Sequence, residues 1–306
     1  MKKTLLFSLL GIAIFLTGCT SNSPKGPYKL NVVSTTGMIN DIVLNIGSGN
    51  VEAKGLMGPG VDPHLYKASE GDVNTLAKAD VIFYNGLHLE SKMGEVFEKM
   101  SGKVKVVAVA STIPEAKLRT PPEFKGFHDP HVWFDVSLWK IAALEVEKAL
   151  IEVDPANASA YKERAKQYQE KLDTLEIEIK AAIKTLPKEK RILVTAHDAF
   201  GYFGRAYGFE VIGLQGISTQ AEAGTQDVQR LAALIQQRKI PAIFIETAIP
   251  IRNIKAVQDA AKAKGWNVRI GGELFSDAMG TSGTPQGTYV GMVRHNIHTI
   301  VKALGQ

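Results

Sequence analysis

Eight short runs rich in β-branched and apolar residues, four on either side of one long amphipathic stretch, set the strongest limit on how this 306-residue chain folds. The first four are "KLNVVST" (29–35), "VEAKGLM" (51–57), "DVIFYNG" (80–86) and "VKVVAVA" (104–110). The second four are "RILVTA" (191–196), "FEVIGL" (209–214), "IPAIFIET" (240–247) and "WNVRIGG" (266–272). Most are apolar without alternation, the pattern of strands buried on both faces. Helical periodicity separates them at 38–47, 69–79, 225–239 and 250–264. Strands alternating with helices predict an α/β chain with parallel sheets covered on both sides. A body of this length fits two modest domains better than one small core.

The dividing stretch opens at Asp154–Pro155, a helix start signal, and stops at Pro187. Within it Tyr161, Ala165, Tyr168, Leu172, Leu175, Ile179, Ala182 and Leu186 step by threes and fours along one face. One helix of about thirty residues would span roughly 45 Å at 1.5 Å per residue. A coiled-coil dimer is disfavoured, because Ala and Tyr fill many stripe positions. We read the stretch as a rigid connector lying across both domains, in a monomer.

The N-terminus sets the compartment. Lys2 and Lys3 precede an apolar run from Leu5 to Leu16, and "LTGC" ends at Cys19, the only cysteine of the chain. Small residues before a cysteine at the end of a signal peptide resemble a bacterial lipobox. This predicts cleavage before Cys19, a lipid on its thiol, and an extracytoplasmic protein anchored to the cell membrane. The apolar run is too short to be a good membrane span. With Cys19 lipidated no disulfide can form, so packed cores must supply stability. The formal charge of +5 includes Lys2 and Lys3. The other basic residues lie among glutamates without interleaved aromatics, which argues against nucleic acid as a partner.

Four polar residues stand at or beyond strand ends, where open α/β sheets bind ligands. His64 follows "LMGPGVDP", His131 lies in "FHDPHVWFD", His197 closes "VTAH", and Asp277 lies in "GGELFSDAMG". Two come from each half, so the cleft between halves is where they would meet. Three imidazoles and a carboxylate suit a divalent transition metal. With four protein ligands there is no open position for an activated water, and H-E-x-x-H, C-x-x-C, P-loop and G-x-S-x-G signatures are missing. That argues against an enzyme. On spacing alone, the four are equally explained as turn and cap residues. Asp62 and Asp129, each two residues before a histidine, are candidates to hold ring N–H groups and fix tautomers, or simply to form turns.

The blocks "LMGPGVDPHLYKAS", "DPHVWFD", "VTAHDAFGYFG" and "GGELFSDAMG" resemble the metal-binding solute-binding lipoproteins of ABC transporters, cluster A-I. Within that cluster they are most similar to the TroA-like and MntA-like manganese/zinc members. The similarity runs from the lipobox to the final "GMVRHNIHTI". It implies two Rossmann-like lobes joined by one spanning helix, with a metal in the interlobe cleft held by His64, His131, His197 and Asp277. It implies residues 1–18 as signal peptide, 19–27 as tether, 28–153 and 188–306 as lobes, and 154–187 as connecting helix. It also implies a membrane permease and a cytoplasmic ATPase as partners, with capture and delivery of Mn²⁺ or Zn²⁺ as the function. A surface adhesin is the rival from another class.

Nitrogen-rich sites favour zinc over manganese in the Irving–Williams order. A bidentate Asp277 would tolerate manganese better. Some manganese-selective relatives carry glutamate where this chain has His197. Zinc-specialised relatives often carry a His- and acid-rich loop before the second ligand, which "TIPEAKLRTPPEFKGFHDP" lacks. The reading adopted is manganese as cargo, with zinc also bound. Of the other histidines, His128 is a loop residue near the cleft mouth, His88 a structural or surface residue, and His295 and His298 lie on the surface of the last helix. Trp133, Trp139 and Trp266 are packing residues.

Overall fold

The computed structural model describes residues 29–124 and 126–306. Cys19 and the predicted signal peptide and tether lie outside that range. The first half contains β1 (Leu30–Ser34), α1 (Gly37–Gly47), β2 (Val51–Gly55), α2 (Glu70–Leu76), β3 (Val81–Tyr84), α3 (Gly94–Ser101) and β4 (Lys105–Ala108). Two packed helices follow, α4 (Val136–Val153) and α5 (Ala158–Lys184). The second half contains β5 (Ile192–His197), α6 (Gly201–Tyr207), β6 (Glu210–Gln215), α7 (Thr225–Arg238), β7 (Ala242–Glu246), α8 (Arg252–Ala263), β8 (Arg269–Leu274) and α9 (Tyr289–Gly305).

Among the described residues all strand pairings are parallel. The first half forms one sheet in the order β2-β1-β3-β4. The second half pairs β5 with β6 and β7 with β8, and β5 lies against β7. Both halves therefore place their strands in the order second–first–third–fourth. All eight sequence-predicted strands are present. The last begins three residues later than its apolar run suggests, because Trp266 donates its indole N–H to the Ile240 carbonyl (2.7 Å) instead of entering the strand.

The connector differs from the expectation in two respects. Asp154 and Pro155 start a short 3-10 turn over Pro155–Asn157 before α5 begins. There the Asp154 carboxylate accepts from the Asn157 amide and the Tyr161 hydroxyl (2.7 Å each). Near the other end Ile183 is buried as well as the predicted stripe, while Ala182 packs on the core only partly buried, because Ile183 follows Ile179 by one helical turn of four residues. Helix α4 was not anticipated as an element. Asp135 caps it by accepting from the Ser137 N–H (3.0 Å), and Trp139, Ala142, Val146 and Leu150 make its buried face.

Helix α5 packs on α1 and α4 from the first half and on α9 from the second. Arg164 donates to the Ile46 carbonyl (2.6 Å) and Arg294 of α9 grips Glu178 with two bonds (2.6 and 2.8 Å). One apolar cluster runs across both halves, including Trp133, Phe134, Phe200 and Tyr289. Phe134 stacks on Phe200 (4.2 Å) and Trp139 on Tyr289 (5.4 Å). A second cluster fills the β5–β8 half, and a small third one lies beneath β3 and α3. Among the described residues no helix is long and apolar enough to cross a membrane.

Candidate metal centre

The chain brings His64, His131, His197 and Asp277 together, each at most 1% exposed. His64 leaves the loop after β2, and His131 starts a 3-10 turn over Val132–Phe134. His197 is the last residue of β5, and Asp277 follows β8. Proline in each "DPH" step fixes φ and pushes the preceding Asp towards extended backbone, so both corners are stiff. Gly213 in β6 permits the close turn after His197, since a Cβ there would lie 2.5 Å from the Asp198 nitrogen.

One ligand atom from each residue lies within 4.8 Å of all the others. The His64 and His131 Nε2 atoms are 3.2 Å apart. Asp277 Oδ2 is 3.4 Å from His64 Nε2 and 3.2 Å from His197 Nε2, while Oδ1 is 3.5 Å from His131 Nε2. A tetrahedron with metal–ligand bonds of about 2.1 Å has edges of about 3.4 Å, so the spacing fits a transition-metal ion. Both carboxylate oxygens face imidazole nitrogens. His197 Nε2 and both Asp277 oxygens are buried yet without aligned hydrogen-bond partners, a cost that an ion at the centre would remove.

Two carboxylates set the imidazoles. The His131 Nδ1–H donates to Asp129 Oδ1 (2.8 Å), which also accepts from the His131 backbone N–H (3.0 Å). The His197 Nδ1–H donates to Glu246 Oε2 (2.6 Å), while Glu246 Oε1 accepts from the His197 backbone N–H (2.9 Å). An ionised carboxylate only accepts, so Nδ1 carries a proton in each ring, and Nε2 is the nitrogen left to offer a lone pair to an ion at the centre. Arg119 pairs with the second oxygen of Asp129. Asp62 does not reach the His64 ring but accepts from its backbone N–H (2.8 Å).

The titratable groups of the centre are pushed in different directions. Burial pushes the His64 imidazole down to about 3, with the Asp277 charge opposing it only in part. Burial also disfavours charge on His197, but Glu246 and Asp277 outweigh it and hold that imidazole well above its usual range. Burial would raise Asp277, yet the His197 and His131 rings keep it well below ordinary carboxylates. Protons and a divalent ion therefore compete for the His197 ring, and binding an ion there releases a proton.

The remaining histidines lie elsewhere. His128 sits within hydrogen-bond distance of the Thr120 hydroxyl (3.0 Å) and His88 meets Phe127 edge-on (4.2 Å). Both line an open groove of about 880 Å³ on the first half. His295 contacts the Glu273 carbonyl (3.0 Å) and His298 is exposed. Sequence reading missed Glu246 and Arg119. Glu246 had a signal, as the one acid in the apolar run "IPAIFIET".

A family model described as "Zinc-uptake complex component A periplasmic" matches residues 32–303. The chain belongs to that family. This zinc-uptake component A family member is 57% identical over 295 residues to the zinc-binding protein TroA of Treponema pallidum (strain Nichols), covering 95% of each chain. It is 47% identical over 306 residues to the manganese-binding lipoprotein MntA of Bacillus subtilis (strain 168), covering 99% of this chain and all of that one. Its structure superposes on the solved periplasmic zinc-binding protein TroA from Treponema pallidum with a TM-score of 0.89, over 90% of this chain and 99% of that one. The resemblance read from the four blocks is thereby confirmed as family membership.

Proposed function

We propose that this protein is the extracytoplasmic metal-binding lipoprotein of an ABC importer. It captures one divalent ion with His64, His131, His197 and Asp277 and delivers it to a membrane permease, while a separate ATPase supplies the energy. The observation that carries this reading is the buried set of three imidazoles and the Asp277 carboxylate, whose facing donor atoms lie 3.2–3.5 Å apart and all within 4.8 Å of one another. The relatives named for zinc and manganese binding support it.

Manganese is the cargo we assign, with zinc also bound. Asp277 turns both oxygens towards the imidazoles, which raises the available donor count above four and suits an ion that prefers more oxygen. Residues 1–18 act as signal peptide, and a lipid on Cys19 anchors a monomeric body through the 19–27 tether. The lobes are 28–153 and 188–306, joined by 154–187. Turnover of a substrate has no place in this cycle. The test is metal analysis of protein purified without added metal, together with growth of a deletion strain. Impaired growth under manganese limitation supports the assignment. Impairment confined to zinc limitation would make zinc the cargo.

A further inference from the structure

We propose that His64 is the ligand that leaves first when metal is released, and that a hydrogen bond from Thr219 to Asp62 is the latch that holds it. The proposal rests on the metal-capture reading above and adds an order of events to it.

The two halves are joined very unequally around the centre. On the side of His131 and Asp277 they are welded. Trp133, two residues after His131, donates its indole N–H to the Ser276 carbonyl (3.0 Å), next to Asp277. The Tyr289 hydroxyl donates to the Trp133 carbonyl (2.6 Å), and the Tyr202 hydroxyl donates to the Asp129 carbonyl (2.9 Å). These groups are buried within the apolar cluster that both halves share. Moving His131 away from Asp277 would break them together.

The His64 side is built differently. Its neighbours Met57, Val61 and Tyr66 pack on the small third cluster, which belongs to the first half alone. Gly58, Pro59 and Gly60 precede it, and Gly60 has φ +72°, a conformation in which glycine is free of side-chain strain. Gly58 and Pro59 border a gap of about 230 Å³ whose far wall is Met279 and Gly280, so the segment has space to enter. It is held to the second half by Asp62, whose Oδ1 accepts the His64 backbone N–H and whose Oδ2 accepts from the Thr219 hydroxyl (2.6 Å). Thr219 lies between β6 and α7, where the neighbouring Gln220 amide also donates to the Ser91 hydroxyl (2.8 Å). One carboxylate thus ties the backbone of a metal ligand to the opposite half. Asp62 is a positioning residue whose bond to Thr219 closes the centre, and breaking that bond frees His64 while the other three ligands stay in place.

The test follows dissociation of Zn²⁺ from the loaded protein into excess chelator, by stopped flow. A charge-assisted bond of this kind predicts that Thr219→Val accelerates release about tenfold, while Thr219→Ser, which keeps the hydroxyl, releases like wild type. In a His64→Ala background Thr219→Val should add nothing, because the group it restrains is gone. Release within twofold of wild type in Thr219→Val, or the same acceleration with and without His64, overturns the latch. If His64→Ala binds and releases like wild type, the ligand assignment itself fails. Hydrogen exchange on the wild-type protein gives a second readout free of any variant. Stripping the metal should raise exchange in 56–68 and 216–224 and leave 129–136 protected, and equal deprotection of all three segments overturns the order.

Discussion

Replacing Glu246 by Gln separates orientation of a ligand from the ligand itself. Glu246 uses both oxygens on His197, one for the backbone N–H (2.9 Å) and one for Nδ1–H (2.6 Å). Gln offers one acceptor and one NH₂ group, so one of these two buried donors loses its partner. If the amide NH₂ faces the ring, His197 moves its proton to Nε2 and blocks the lone pair meant for the metal. A lost charge-assisted hydrogen bond at a buried site costs about 1.5–3 kcal/mol, or roughly 10–100-fold in affinity. The pH dependence adds a sign. Glu246 helps hold the His197 imidazolium well above its usual range, so in wild type protons compete with metal until the pH exceeds that raised value. Removing the carboxylate weakens the proton's hold as well as the metal's. The deficit of Glu246→Gln should therefore be smaller at a lower pH than at a higher one, since proton competition fades as the pH rises. Competitive titration against a chromophoric chelator at both pH values measures this. Affinity within threefold of wild type at the higher pH would refute the orientation argument.

Two further predictions concern the scaffold. Burial raises Asp41 from 3.8 to about 6 where it meets Tyr168 of the connector. A raised folded pKa contributes stability below the unfolded value that is lost as pH rises through about 6. Asp41→Asn should therefore stabilise the protein at pH 7.5 by up to about 3 kcal/mol, with the gain vanishing near pH 4. Denaturant midpoints equally shifted at both pH values would contradict it. Leu172→Ala, at a fully buried position of α5, should cost about 2–5 kcal/mol in urea unfolding, whereas a loss below 1 kcal/mol would mean the connector packs loosely.

The strands were legible because β-branched runs bounded by glycine and polar residues survive any detail of packing. Helix α4 was not, because its stripe of Ala142, Val146 and Ala149 is small and reads weakly until Trp139 stacks on Tyr289 across the halves. The four centre residues were legible as strand-end polar groups, but their convergence depends on β5 lying against β7 and on Trp133 reaching Ser276, contacts between distant residues that no local pattern states. Asp129 was foreseen as a partner of a ring N–H, and the structure places it on the His131 ring. Asp62 looked identical in sequence, yet its second oxygen points to Thr219, 157 positions away. Glu246 escaped because an acid closing an apolar strand resembles an ordinary strand end until His197 is beside it.

The central claim is that one divalent ion sits among His64, His131, His197 and Asp277. Anomalous diffraction from crystals of the protein loaded with Mn²⁺ or Zn²⁺ tests it directly. A single strong peak is expected at bonding distance, about 2.0–2.2 Å for Zn²⁺, from three Nε2 atoms and the Asp277 carboxylate. A peak elsewhere, or none at these residues in a fully loaded sample, would contradict it.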